Sequence, residues 1–374
     1  MKRPLLLLLV AISCLVAGVA TAAPAHHGPH GKRDQPHGKS ANRTGFYVTH
    51  NLVSDQAGMA DHVDSNLVNA WGLTALPGSP WWVADNGADV ATVYTADGAA
   101  FPVGTPLVVQ VPKAPTGAVA NAGSSFVVSN GGASGAATFL FATEAGKILG
   151  WNRSVSPTQA MVAVDDSASG AVFKGLALAS SSNGDELFAT DFHNNRVDVF
   201  DGSFHDVTPA GSFSDPSVPA GFAPFGIQNI GGHIFVTYAK QDADRHDDVP
   251  GQGFGFVDEY DTNGKLLAHV AQQGQLNSPW GLALAPAGFG RFGGDLLVGN
   301  FGDGQINAFQ QGPNGAFEHR GELRDVSGRS LTIDGLWSLQ FGLGTANNGP
   351  TDTLFFTAGP DGEMHGLFGT IKAG

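Results

Sequence analysis

The chain is almost without cysteine and poor in charge. Cys14 is the only cysteine among 374 residues, so an intramolecular disulfide framework is excluded. Charged residues make up only 14% of the chain, and 33 acidic against 19 basic residues give a formal net charge of −14. Because nucleic-acid binding needs a basic face that neutralises phosphates, the composition excludes that class. The mature protein must be held together by burial and backbone pairing.

The residues that are abundant point to strands and turns. The 53 glycines and 21 prolines accompany a hydrophobic fraction of 42%, which is enough for a packed core. A helical bundle or a coiled coil would need more Lys and Glu and fewer glycines. The composition therefore favours short strands joined by tight turns.

The first 25 residues have the pattern of a secretory signal peptide. Lys2 and Arg3 precede an almost unbroken apolar run over residues 5–16, and Ala20-Thr21-Ala22 offers a small-residue cleavage site. We therefore expect an exported protein, secreted or periplasmic. Cys14 lies inside the apolar run and would be removed with it. No later apolar stretch is long enough to span a bilayer, and we expect a monomer without a transmembrane segment.

Residues 26–44 are rich in Gly, Pro and His. His26, His27, His30 and His37 could chelate a transition metal loosely, but their spacing matches no closed metal geometry. The composition favours a flexible tether between the cleavage site and a folded domain.

From residue 45 onward the chain repeats itself with a period of about 54 residues. Each unit opens with a strand containing Gly and continues with a second apolar strand and a third strand carrying aromatics. We take Ser125–Val128 as the second strand of unit two and Glu363–Phe368 as the third strand of unit six. Period-2 alternation with Gly, Asn and Asp turns indicates an all-β, six-bladed β-propeller over residues 45–374. Residues 46–52 form a spare strand that we expect to pair into the last blade and close the ring. The six openings are Trp71-Gly72-Leu73, Gly117-Ala118-Val119, Lys174-Gly175-Leu176, Phe225-Gly226-Ile227, Trp280-Gly281-Leu282 and Gly335-Leu336-Trp337.

The third unit, residues 186–200, resembles the NHL-type propeller repeat: a strand, an Asp, a short turn, then Asn, Arg, a β-branched residue and an aromatic. Residues 66–73, 246–258 and 278–283 are similar to a family of secreted bacterial six-bladed propellers without an assigned activity. The resemblance covers nearly the whole mature chain. It implies the fold more strongly than any function.

Two sets of loops should meet at one face of such a ring: those before each opening Gly and those between the second and third strands. Their polar residues, together with large aromatics on the inner strands, form the candidate ligand-binding set. These residues also have a purely structural explanation. Each Asp or Asn would close its own turn by bonding to the nearby backbone, and the aromatics would fill the tapering centre of the ring. The set comprises Trp71, Asp85, Asn86, Asp191, His193, Trp280, Asn300 and Trp337.

A metal site at the same face is a second expectation, with Ca²⁺ as the candidate cofactor because hard cations select oxygen ligands. The long turn over residues 239–253 holds five acids or histidines, which exceeds what turn formation requires. Propeller lactonases similar to gluconolactonase hold a divalent cation through residues just before the opening Gly. Of those positions here, only Asp334 carries a carboxylate. The candidate metal ligands are Asp191, His246, Asp247, Asp248 and Asp334.

Three functions remain open from the sequence. The first is an exported, non-catalytic propeller that binds a protein, small-molecule or carbohydrate ligand through its acidic loop face. The second is a metal-dependent hydrolase, lactonase or lyase acting at the channel mouth. The third is a structural envelope or matrix protein. No GxSxG or HExxH motif supports enzymatic activity, and the mature chain has no thiol.

Overall fold

The computed structural model describes residues 45–374, so the expected signal peptide and tether lie outside the described residues. This region is all-β, with three single-turn 3₁₀ segments at Asn86–Ala88, Ser167–Ser169 and Gly290–Phe292. No helix in this part of the chain has the length and apolar character needed to cross a membrane.

The strands form six antiparallel blades arranged as a six-bladed β-propeller. Strands β1 (Tyr47–Ser54) and β2 (His62–Val63) precede the first blade. Blade one consists of β3 (Ala70–Thr74), β4 (Trp81–Asp85), β5 (Val90–Tyr94) and β6 (Val108–Gln110). Blade two consists of β7 (Pro115–Ala120), β10 (Phe139–Thr143), β11 (Lys147–Trp151) and β12 (Met161–Asp165), and a separate hairpin, β8 (Val127–Asn130) and β9 (Ala133–Ala136), is inserted after its first strand.

Blade three has three strands, and each later blade has four or more. Its strands are β13 (Phe173–Ser181), β14 (Gly184–Asp191) and β15 (Arg196–Asp201). Blade four comprises β16 (Phe222–Ile230), β17 (His233–Lys240), β18 (Gly255–Tyr260) and β19 (Leu266–Gln272). Blade five comprises β20 (Pro279–Leu284), β21 (Leu296–Asn300), β22 (Ile306–Gln311) and β23 (Phe317–Glu322), and blade six contains β24 (Leu336–Phe341), β25 (Leu354–Ala358) and β26 (Leu367–Ala373).

The ring closes as the sequence predicts. Strand β1 pairs antiparallel with β26, in a register that runs from Tyr47 opposite Ala373 to Ser54 opposite Leu367. The Tyr47 hydroxyl donates to the Phe289 carbonyl oxygen at 3.2 Å and accepts from the Phe292 N–H at 3.2 Å. The first strand of the described chain thus covers the edge of the last blade and anchors it to blade five.

The repeated glycine is explained by how closely the inner strands approach each other. A Cβ at Gly226 would lie 2.1 Å from the Trp280 carbonyl oxygen, and a Cβ at Gly281 would lie 2.4 Å from that of Trp337. Only glycine allows the inner strands of neighbouring blades to come this near. Hydrophobic residues of adjacent blades then pack into six cores, one at each blade interface, and a seventh cluster lies on the ring axis.

Two strand assignments from the sequence are wrong. The second strand of blade two is β10, while Val127 and Val128 of the predicted segment belong to the inserted hairpin. The segment looks like a blade strand because Val128 is buried in the core between blades two and three, although its own strand lies outside the blade. In blade six the third strand begins at Leu367, because Asp361 and Glu363 adopt positive φ and form a turn where the strand was expected.

Candidate functional site

The residue before the repeated glycine of each blade lies at the start of an inner strand. Five of these residues are Trp71, Thr116, Lys174, Phe225 and Trp280. In blade six the corresponding residue is Trp337 and not Asp334, because the Trp337 carbonyl is the group that faces Gly281. Ser338 replaces the glycine there and accepts a hydrogen bond from the Leu73 N–H at 3.1 Å. Asp334 is exposed and accepts from the Asp361 N–H at 2.8 Å, as a turn-forming residue does.

The aromatics of this set close the channel. Trp71 stacks on Trp337 with ring centroids 3.6 Å apart. Phe301 also stacks on Trp337, with ring centroids 4.0 Å apart. Trp280 meets both indoles edge-on. We call the axial cluster the aromatic plug; it contains Trp71, Phe192, Ala223, Phe225, Ala239, Trp280 and Trp337, with Phe301 packed against it. A cavity of about 20 Å³ among the inner strands leaves room for about one water molecule.

Lys174 contributes the one charged side chain of the set, and it is 1% exposed. Its ammonium lies 5.2 Å from the ring centroid of Trp71, within the range of a cation–π contact. It forms ion pairs with Glu144 and with Asp247, the latter at 3.2 Å. Burial alone would lower the pKa of Lys174, but these two carboxylates outweigh it and raise the pKa.

A connected hydrogen-bond network extends from Lys174 across the mouth. Glu144 accepts from Asn86 Nδ2 at 3.1 Å, and Asn86 Oδ1 accepts from Asn69 Nδ2 at 3.2 Å. Asn69 Nδ2 also donates to Glu363 at 2.7 Å, while its Oδ1 accepts from the Trp337 indole at 3.0 Å. We call the polar network Asn69, Asn86, Glu144, Lys174, His246, Asp247 and Glu363 the mouth network; it connects loops of blades one, two, three, four and six.

The acidic side chains of the mouth network respond differently to their surroundings. Burial would raise the pKa of Asp247, but Lys174 and His246 lower it overall. Burial raises the pKa of Glu363 despite its bond from Asn69. The neighbouring Asp248 is half-buried, and burial raises its pKa to about 6 although Ser278 and Lys174 act to lower it. The mouth therefore concentrates carboxylates around one ammonium.

The structure brings together some of the sequence-predicted residues. Trp71, Trp280 and Trp337 meet in the plug, and Asn86, His246 and Asp247 meet in the mouth network. Glu144, His246 and Asp247 place potential metal-ligand atoms within 4.8 Å of one another.

Other predicted residues lie elsewhere. Asp191 is fully buried and accepts from the Val172 and Asn194 backbone N–H groups, both at 3.2 Å, so it closes its own turn. Asn300 donates to the Gln275 carbonyl oxygen at 2.8 Å and to Asp303. Asp85 is buried and its Oδ2 accepts a hydrogen bond from the Thr92 hydroxyl at 2.8 Å. Burial raises the pKa of Asp85 well above the usual range. His193 is half-buried beside Gly170. Within residues 45–374, Asp191, Asp248 and Asp334 belong to no cluster with metal-ligand spacing.

Sequence reasoning missed Glu144, Lys174 and Glu363 as parts of the site. Glu144 follows β10, which was not recognised as a blade strand, and Lys174 was named only as the first residue of an inner-strand opening. The sequence does contain a signal for Lys174. A lysine at the start of an inner strand would be buried, and a buried ammonium needs a carboxylate close to it.

The fold and the site define a six-bladed β-propeller with an aromatic plug and a polar mouth. No protein-family model matches the chain. It is 32% identical over 86% of its length to Uncharacterized protein R648 of Acanthamoeba polyphaga mimivirus, covering 78% of that protein. It is 30% identical to Uncharacterized protein L690 of the same virus, over 86% of this chain and 84% of that one. The chain therefore belongs to the family of these two proteins. These relatives are viral, in contrast to the bacterial family expected from the sequence.

Solved structures share only the general fold. Virginiamycin B lyase from Staphylococcus aureus matches with a TM-score of 0.47 and 14% identity, over 87% of this chain and 98% of that one. A gluconolactonase from Xanthomonas campestris matches with a TM-score of 0.40 and 16% identity, over 63% of this chain and 82% of that one. Likeness at this level says nothing about activity.

Proposed function

We propose that this protein is a non-catalytic binding propeller that takes a cationic group of its ligand or partner at the mouth network. The observation that carries the proposal is the arrangement of Glu144, Asp247 and Glu363 around the single ammonium of Lys174. Because these carboxylates outnumber the ammonium, the surface attracts positive charge. The plug lies directly beneath, so the ligand would rest on a shallow surface above a filled channel.

The test is calorimetric titration at low ionic strength with spermidine, CaCl₂ and a lysine-rich peptide as separate probes. We expect at least one cationic probe to bind, and Glu363→Gln or Asp247→Asn to weaken that binding about tenfold. Asp352→Asn removes one exposed carboxylate from the turn between β24 and β25, at the opposite face, and is the matched control. The proposal fails if no probe binds, or if Glu363→Gln and Asp247→Asn bind the probe as tightly as the control Asp352→Asn does. The three probes distinguish a metal ion, a polyamine and a protein partner as the source of the charge.

The second candidate function is a metal-dependent hydrolase or lyase. The observation that favours it is the spacing of Glu144, His246 and Asp247, with His246 Nδ1 held by Asp247 at 2.9 Å. Against it, Lys174 already forms ion pairs with Glu144 and Asp247, so a metal ion bound there would lie beside an ammonium group. One metal ion per chain bound at these residues, together with turnover in a screen of lactones and esters, would replace the binding proposal with this one. His246→Ala would then abolish both properties.

We also propose export of the protein, supported by the charged start, the apolar run and the Ala20-Thr21-Ala22 sequence. Intact-mass measurement of the protein from the periplasm or the medium should give a chain that starts at residue 23, after Ala22, or at residue 26 if Ala23-Pro24-Ala25 is the cleavage site. A chain retaining residues 1–22 in the cytoplasm would contradict export.

A further inference from the structure

A second cluster of carboxylates and imidazole lies at the outer rim, between blades three and four. Blade three lacks a fourth strand, and residues 202–221 follow β15 irregularly in its place. This segment brings Asp215 against blade four, where Asp258 lies on β18 and His269 on β19. His269 Nδ1 is 3.0 Å from Asp258 Oδ1 and 3.3 Å from Asp215 Oδ2.

The two carboxylates are buried, and in the described part of the chain no lysine or arginine pairs with them. The side chain of Asp258 is 0% exposed and that of Asp215 is 1% exposed. Among residues 45–374, neither forms an ion pair with lysine or arginine, and His269 is the only basic partner of both. Two carboxylates removed from water together need either positive charge nearby or a proton on one of them. At the mouth Lys174 supplies that charge; at the rim, residues 45–374 provide no lysine or arginine in a comparable position.

The atomic spacing suits a small divalent ion. Zn²⁺ binds carboxylate oxygen and imidazole nitrogen at about 2.0–2.2 Å, so ligand atoms of a tetrahedral site are about 3.3–3.5 Å apart. The separations of 3.0 and 3.3 Å at His269 Nδ1 are near this range, and all three potential ligand atoms lie within 4.8 Å of one another. The imidazole remains partly open to solvent, which leaves access for a further ligand such as water.

Neighbouring groups hold these side chains in place. Ser217 donates to Asp215 from its hydroxyl at 2.6 Å and from its backbone N–H at 2.8 Å. The Tyr260 hydroxyl lies 3.4 Å from Asp258 Oδ2 and 2.6 Å from the Tyr238 hydroxyl. Such outer contacts fix the orientation of metal ligands. A cavity of about 520 Å³, lined in part by Asp215 and Tyr238, adjoins the cluster and offers a path for an ion.

We propose that Asp215, Asp258 and His269 bind one divalent first-row transition-metal ion of the Zn²⁺ type. The ion supplies the missing positive charge and attaches residues 202–221 to the outer strands of blade four. This site is separate from the mouth network and does not depend on the function proposed for it.

The test uses the full-length chain with His26, His27, His30 and His37 replaced by alanine, because these histidines could bind metal on their own. The protein is stripped with a chelator and titrated with ZnCl₂, and Co²⁺ is used in parallel for its visible spectrum. We expect one ion per chain and a raised melting temperature with the metal present. His269→Ala should weaken binding at least tenfold and remove the tetrahedral Co²⁺ spectrum.

Matched variants separate the two clusters. Glu144→Gln and His246→Ala change the mouth network and should leave Zn²⁺ binding at the rim unchanged. Asp258→Asn should weaken binding as His269→Ala does; if it does not fold, Asp215→Asn takes its place. The proposal is overturned if the folded protein binds no stoichiometric Zn²⁺, if His269→Ala binds as well as its parent, or if binding disappears only in the mouth variants.

Discussion

Lys174 shows how a single residue can organise the mouth. It occupies a ring position at which four other blades place an aromatic residue, and it connects loops of blades two and four through Glu144 and Asp247. Lys174→Met would keep the length of the side chain and remove its charge. Because Glu144 would then lie largely buried without a counter-charge, we expect a loss of about 2–4 kcal/mol in the free energy of unfolding. Denaturant titration measures this.

A double-mutant cycle distinguishes charge from packing at the same position. Lys174→Met combined with Glu144→Gln removes both members of the ion pair, so the combined loss should be smaller than the sum of the single losses. Strictly additive losses would show that Lys174 acts through packing on Trp71 and not through its ion pairs.

Asp198 is a residue whose ionisation should oppose folding. It is 1% exposed, and burial raises its pKa to about 7 although Arg196 Nε lies 2.6 Å away. The folded state therefore holds this proton more tightly than the unfolded state does, and stability due to Asp198 falls as the pH rises from about 4 to about 7. We expect Asp198→Asn to flatten the decline in the free energy of unfolding between about pH 4 and about pH 7. An unchanged pH profile would show that Asp198 stays ionised in the fold.

At the scale of the element, the blade repeat could be predicted from the sequence because the inner strands approach each other too closely for any residue but glycine. Gly226 and Gly281 each face a backbone carbonyl of the next blade, so their spacing marks the inner strands directly. The inserted hairpin and the start of β26 could not be read in this way, since apolar alternation does not distinguish a blade strand from an insertion that packs on it. For the same reason Glu144, which follows β10, was not recognised as part of a loop at the mouth. The mouth network needed the structure because its members come from five blades.

Strand β1 should contribute much of the stability of the closed ring. Tyr47, Leu52 and Val53 are buried in it, and each would lose about 1.5–3 kcal/mol of burial free energy on its removal. We expect deletion of residues 1–54, which removes the whole of β1, to reduce the free energy of unfolding by about 5 kcal/mol or more and to expose the edge of β26. Deletion of residues 1–44 keeps β1 and is the matched control, for which calorimetry should show the melting temperature of the full chain. Equal melting of the two truncations would contradict this role of β1.

At the scale of the whole molecule, the charge balance sets how the fold responds to salt. The formal net charge of −14 arises from 33 acidic and 19 basic residues, and the mouth adds a local excess of carboxylates. Repulsion among these charges destabilises the compact state, and salt screens it with a Debye length of about 10 Å at 0.1 M. Exposed pairs such as Lys147 with Asp165 also weaken in salt, but such pairs contribute little to the stability of a fold.

We therefore expect the melting temperature to rise by a few degrees between about 10 mM and 0.3 M NaCl, as measured by differential scanning calorimetry. The range ends at 0.3 M because higher concentrations also change the solvation of apolar surface. KCl in place of NaCl should give the same rise, since screening depends on ionic strength and not on the identity of the cation. CaCl₂ at matched ionic strength should exceed it only if the carboxylates of the mouth bind the ion. A melting temperature that falls with salt would mean that attraction within ion pairs, above all around Lys174, outweighs the repulsion among the excess acids.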